Sequence, residues 1–173
     1  MTEAYTEQIV KKQPDSKMML KKVGIMAAGA ALTVANFFVM SLEALGGGSF
    51  ILLVEAAIIF GAYWLLRSQN IEYEYIFVED EIGFDRITAR TSRKRLFTAD
   101  CGRFELMARA DGAHNGEMAK KYDTVRDFSS APDSKDRWFA VINGEKGRTL
   151  LIFEPEERMV EAVRAIIKRK VLD

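Results

Sequence analysis

Val23-Gly-Ile-Met-Ala-Ala-Gly-Ala-Ala-Leu-Thr-Val-Ala-Asn-Phe-Phe-Val-Met-Ser-Leu42 holds no charged residue. As a helix it is about 30 Å long, the thickness of a bilayer's hydrocarbon core. A second apolar run, Phe50 to Leu66, is broken only by Glu55 and reaches the short end of the spanning range. Between them, Glu43-Ala-Leu-Gly-Gly-Gly-Ser49 suits a tight reversal. The pair reads as a transmembrane helical hairpin over 23–67, with spans 23–42 and 50–66. The core of a soluble bundle rarely holds uncharged runs this long. A signal peptide starts earlier, is shorter, and is not followed by a second such run.

Charge placement orients the hairpin. Lys11, Lys12, Lys17, Lys21 and Lys22 precede the first span, and residues 1–22 read as a basic cytoplasmic segment. Arg67, then Arg86, Arg90, Arg93, Lys94 and Arg95, follow the second span, whereas the intervening loop has neither Lys nor Arg. By the positive-inside rule both termini are cytoplasmic, and the chain is a multi-pass protein of the cell membrane. A reduced compartment fits the single Cys101.

Ala27, Ala31 and Ala35, with Ala57 and Gly61, recur every four residues. They read as the packing face between the helices, with an oligomer interface as the alternative. Tyr63 and Trp64 suit an interfacial aromatic anchor. Glu55 lies roughly 8 Å inside the second span. A hydrogen bond to Asn36 across the hairpin, snorkelling, or protonation each accommodates it, so a structural role is expected. A proton or ion role is the alternative.

The whole chain has 173 residues and 25 basic side chains against 25 acidic ones. That balance excludes a strongly basic nucleic-acid binder and a highly charged disordered chain. One Cys and one His (His114) exclude a disulfide framework and a multi-Cys/His zinc cluster. Cys101 with His114 is a poor candidate for a nucleophile and base. The sequence has no P-loop, dinucleotide fingerprint, HExxH or nucleophile elbow. No catalytic residue, cofactor or metal is expected.

Residues 70–173 suffice for one small cytoplasmic domain. Ile71, Tyr73, Tyr75 and Phe77 alternate along one strand, Glu79-Asp80-Glu81 turns, and Ile82 and Phe84 alternate along the next. Strands are further expected at 94–98, 103–108, 123–128, 137–142 and 148–153. The last two flank a loop, Asn143-Gly-Glu-Lys-Gly147. Trp138, Phe139 and Phe153 read as core rather than as a base-stacking platform. After Pro155 the period changes. Met159, Val160, Val163, Ile166 and Ile167 mark one face of an amphipathic helix, Glu156 and Glu157 suit its start, and Lys168, Arg169 and Lys170 its end. The fold class is α+β: a two-helix hairpin, then about seven antiparallel strands forming a barrel or sandwich, closed by a C-terminal helix. That is the outline of a pleckstrin-homology (PH)-like domain.

Four short motifs carry a closer resemblance: Asn70-Ile-Glu-Tyr-Glu-Tyr75, Arg93-Lys94-Arg95, Asp127-Phe128-Ser129-Ser130, and Glu154-Pro155 followed by Met159-Val-Glu-Ala162. In this order they resemble an uncharacterised bacterial family of two-span membrane proteins with a PH-like domain, domain-of-unknown-function family 6106. The resemblance implies a fold and a location rather than a reaction.

Arg90, Arg93, Lys94 and Arg95 are the basic cluster of the domain's first half. PH-like folds sometimes bind phosphoinositides on the first hairpin, but here that turn is acidic. The cluster is a candidate contact for anionic lipid head groups, at about 1 kcal/mol per residue near a membrane, or for a protein partner. Asp127 with Ser129 and Ser130 suits a turn fixed by side-chain-to-backbone bonds. The expected function is a non-catalytic, membrane-anchored adaptor binding protein or lipid, with homo-oligomerisation open. The alternative is a small accessory subunit of a transport or ion-handling complex that uses Glu55.

Overall fold

A computed structural model describes residues 5–42, 48–144 and 147–172. The chain divides into two compact units, 14–70 and the combination of 1–13 with 71–173.

The first unit is two helices, α1 (Ser16–Leu42) and α2 (Gly48–Ser68). Asp15 begins α1, its Oδ1 accepting from the Met18 N–H at 2.7 Å, as an N-cap carboxylate does. Of the turn expected at 43–49, residues 43–47 lie outside the described residues, and Gly48 and Ser49 belong to α2. Among the described residues one stretch, Ser16–Val39, is long and apolar enough to cross a membrane. The expected second span, 50–66, falls inside α2 and does not add a second such stretch among the described residues. The two helices pack antiparallel, because Gly29 approaches Ala62 while Asn36 reaches Glu55. Ala27, Ala31 and Ala35 are exposed, so they are not the packing face. At 100° per residue, Ala27 and Ala31 each point about 160° away from Gly29, which takes the contact instead.

The second unit holds two sheets. The first has the order β1 (Tyr5–Lys11), β2 (Ile71–Val78), β3 (Glu81–Thr88), β4 (Ser92–Asp100), all antiparallel. The second is built from β5 (Phe104–Arg109), β6 (Thr124–Asp127), β7 (Trp138–Gly144), β8 (Gly147–Phe153) and β9 (Val171–Leu172), in the order β6-β8-β7-β5-β9. Helix α3 (Glu157–Ile166) precedes β9.

Three expectations are corrected. The sheets do not close into a barrel. A 3-10 turn at Cys101–Arg103 carries the chain from β4 into the second sheet. There the free side of β5 is taken by β9 in parallel, and β6 covers β8 in parallel at the other edge. No ladder joins the two sheets among the described residues. Among the described residues nine strands form rather than about seven. Residues 5–11, expected in a basic N-terminal segment, form an edge strand of the domain.

Phe84 sits at the centre of the core between the sheets. Its ring stacks on Phe128 at 4.8 Å and meets Phe153 edge-on at 5.5 Å. Tyr75, Phe77, Phe104, Met107, Leu151 and the α3 residues Met159, Val160 and Val163 complete it. Ile166, expected on the apolar stripe, is 40 % exposed at the end of α3. Strand β7 is buried on both faces. Trp138, Ala140 and Ile142 enter this core, whereas Phe139 and Val141 enter a smaller one with Leu150 and Ile152.

Candidate binding site on the first sheet

The turn joining β3 to β4 is tight. Ala89 and Arg90 both have positive φ (55° and 59°), and the Thr91 N–H reaches the Thr88 carbonyl at 3.1 Å. This type I′ geometry matches the twist of the strands it joins. It brings β4 back along β3 and sets which basic side chains face which way.

Successive strand residues point to opposite faces. The run Arg93-Lys94-Arg95 is therefore divided rather than assembled. Arg93 and Arg95 face outward, where carboxylates meet them. Arg93 Nη2 lies 2.8 Å from Glu74 Oε1, and Arg95 pairs with Asp85. Arg90 makes a looser pair with Glu72 at 3.4 Å. Register explains the matching, since Ile9, Glu74, Asp85 and Arg95 lie in one row across the sheet. Glu74 is fully buried and Asp85 nearly so. Burial pushes the Glu74 carboxyl above its usual range, and its hydrogen bond with Glu7 adds to this. The Tyr5 hydroxyl, donating to Glu7 Oε2 at 2.5 Å, is the first cause holding Glu7 below that range. Three of the four sequence candidates thus spend their charge on this outer network.

Lys94 points the other way. The adjacent row on the inner face reads Val10, Tyr73, Arg86, Lys94. Lys12 lies two residues beyond Val10, with its Nζ 3.5 Å from Tyr73 Oη and 5.7 Å from the centre of that ring. Arg86 is half-buried, and its Nε is buried with no hydrogen-bond partner. Among the described residues no ion pair reaches Arg86 or Lys94. Arg86 was not among the candidates, although its signal was in the sequence. Ile82 and Phe84 set the inward alternation, and the next inward position is a cation.

The helical unit holds the other candidate pair. Asn36 Nδ2 donates to Glu55 Oε2 at 3.0 Å, and Thr33 Oγ1 donates to Oε1 at 2.9 Å. Both oxygens of Glu55 are thereby engaged between the helices.

The remaining candidates have structural surroundings. Cys101 is fully buried in the larger core, and burial pushes its thiol up to about 12. His114 precedes a short 3-10 helix in the loop after β5. Asp127 Oδ1 accepts from the Ser129 N–H and hydroxyl, fixing the turn as its composition suggests. Ser130 donates from its N–H and Oγ to Glu154 Oε1, both at 3.0 Å. Among the described residues no group of three His, Cys, Asp or Glu side chains could hold a metal.

A family model described as a bacterial PH-like domain (DUF6106) matches residues 2–173. No curated protein and no solved structure matches the chain.

Proposed function

The chain belongs to the bacterial PH-like domain family DUF6106, and from that premise we propose that it is a non-catalytic, membrane-anchored binding protein. PH-like domains commonly bind lipids or proteins, so the fold favours an adaptor.

The observation that carries the anchoring is the outer surface of the helices. Phe37 and Phe38 on α1, and Leu52, Phe60 and Trp64 on α2, are each more than half exposed. Removing such a side chain from water is worth about 2 kcal/mol. A helix pair facing apolar groups outward all round is stable in lipid rather than in water. This supports two spans, with Lys17, Lys21, Lys22 and Arg67 at one end of the pair. By the positive-inside rule that end, and the PH-like unit joined to it, is cytoplasmic.

Connectivity supports the same reading. Strands β1 and β2 are antiparallel neighbours, and the Lys12 N–H reaches the Ile71 carbonyl at 3.0 Å. The helices occupy the place of a hairpin loop between these strands. The chain thus leaves the domain and returns to it at adjacent points. Anchoring raises the local concentration of any partner at the membrane, so weak contacts suffice.

Alkaline carbonate extraction of cell membranes is the direct test, and release into the supernatant would overturn the anchoring. For topology, Ser49→Cys is expected to label from outside intact cells and Lys121→Cys to be protected. For the adaptor role, in-cell crosslinking of the full-length chain should recover a reproducible protein partner. Recovery of self-crosslinks alone would replace that partner with a second copy.

A further inference from the structure

The inner-face row at one end of the first sheet combines three features of an anion site. It collects cations from two strands and the segment after β1, it holds a buried donor with no acceptor, and it lacks carboxylates. We propose that Arg86, Lys94 and Lys12, with the Tyr73 hydroxyl, bind a phosphate group.

The contrast between the two faces carries the argument. On the outer face Arg93, Arg95 and Arg90 each meet a carboxylate. The inner row offers Val10, Tyr73, Arg86 and Lys94, with no acid among them. The neighbouring positions on the same face, Thr88 and Ser92, are hydroxyls. From the second sheet, Phe128 packs its ring on Tyr73 at 5.6 Å. The adjacent Asp127 is already held by Ser129 and Arg137.

A buried donor without an acceptor is costly, and nearly all such donors in folded proteins are satisfied. For Arg86 Nε the missing partner is an acceptor, and the surrounding charge is positive. The guanidinium fork fits phosphate oxygens through two parallel hydrogen bonds, and lysine ammonium groups add point charges. Lys12, beside the ring and hydroxyl of Tyr73, is placed to be one of them.

The phosphate has two possible sources, a lipid head group or a soluble phosphate compound. The lipid source rests on the membrane-anchored reading, whereas the site itself does not. The test uses the full-length chain in a non-ionic detergent and follows its unfolding midpoint. One arm titrates inorganic phosphate against sodium chloride at matched ionic strength, and the other titrates dihexanoyl-phosphatidylglycerol. A rise in midpoint in either arm is expected, with Arg86→Gln and Lys94→Gln each weakening the apparent affinity about tenfold. Lys121→Gln, an exposed cation elsewhere, should leave it unchanged. A response to the lipid alone assigns the head group, and a response to inorganic phosphate assigns a soluble source. No response in either arm, or a response that both variants retain, overturns the site. If Arg86→Gln does not fold, the exposed Lys94→Gln decides. Carbonate extraction of the same protein separates the two readings, because a chain released by carbonate that still binds phosphate loses the anchor and keeps the site.

Discussion

Cys101 is the side chain whose chemistry is most constrained by its surroundings. It is fully buried, and its thiol is pushed up to about 12, chiefly by burial. The thiolate is the reactive form. The native protein is therefore expected to resist maleimide at pH 8 for hours, and the denatured chain to label within minutes. Rapid labelling of the native protein would contradict this burial. Glu74 supplies a pH dependence. Its carboxyl is raised by burial first, so the contribution of its protonated form is full below its unfolded value and is lost as pH rises through the folded one. Glu74→Gln resembles the protonated acid. Its stability relative to the native chain should thus improve from pH 4 to pH 8, read as the difference in denaturation midpoints. A gap that is flat or opposite in slope would show that Arg93 fully compensates the buried charge.

At the scale of elements, the strands that alternate clearly were legible. Ile71–Val78 appears at the expected bounds because Tyr73, Tyr75 and Phe77 all enter the core. Strand β1 was not legible, because Val10 is its only buried residue and its partner lies some sixty residues away. What holds β1 in place is polar. Gln8 Nε2 donates to the Glu154 carbonyl at 2.7 Å, and Gln8 Oε1 accepts from the Glu156 N–H at 2.7 Å. Gln8→Ala removes both bonds and should cost about 1–3 kcal/mol in denaturant titration. A cost near zero would mean that water replaces the side chain freely. The basic run was legible as charge but not as a site, since only strand register shows that Lys94 and Arg95 face opposite sides. In the helical pair, Glu55 is bonded to Thr33 and Asn36. Glu55→Gln should keep the pair together, whereas Glu55→Leu should loosen it by about 1 kcal/mol, measured by unfolding in mixed micelles. If Glu55→Gln abolishes a membrane phenotype while the pair stays intact, the carboxylate serves ion chemistry rather than packing.

For the whole molecule, the governing feature is that the PH-like unit is discontinuous in sequence. Its edge strand precedes the helices, and everything else follows them. Residues 70–173 look like a complete domain because they contain eight of the strands and α3. Yet without β1 the β2 backbone is an open edge, and such edges pair with other chains. That loss also exposes part of Tyr73, which Val10 and Lys12 now cover, and removes the Gln8 bonds beside α3. The fragment 70–173 is therefore expected to aggregate or to melt at least 10 °C lower than a chain that retains β1. The comparison chain joins residues 5–13 to 71–173 through a short Gly/Ser linker in place of the helices. Because Lys12 and Ile71 are already hydrogen-bonded neighbours, a linker of a few residues closes the gap at small entropic cost. A difference of a few kcal/mol is worth that much in melting temperature for a domain of this size. Circular dichroism melts and sedimentation of the two chains decide the matter. Equal melting of the two monomers would mean that β1 is a peripheral addition and that the helices interrupt nothing the fold requires.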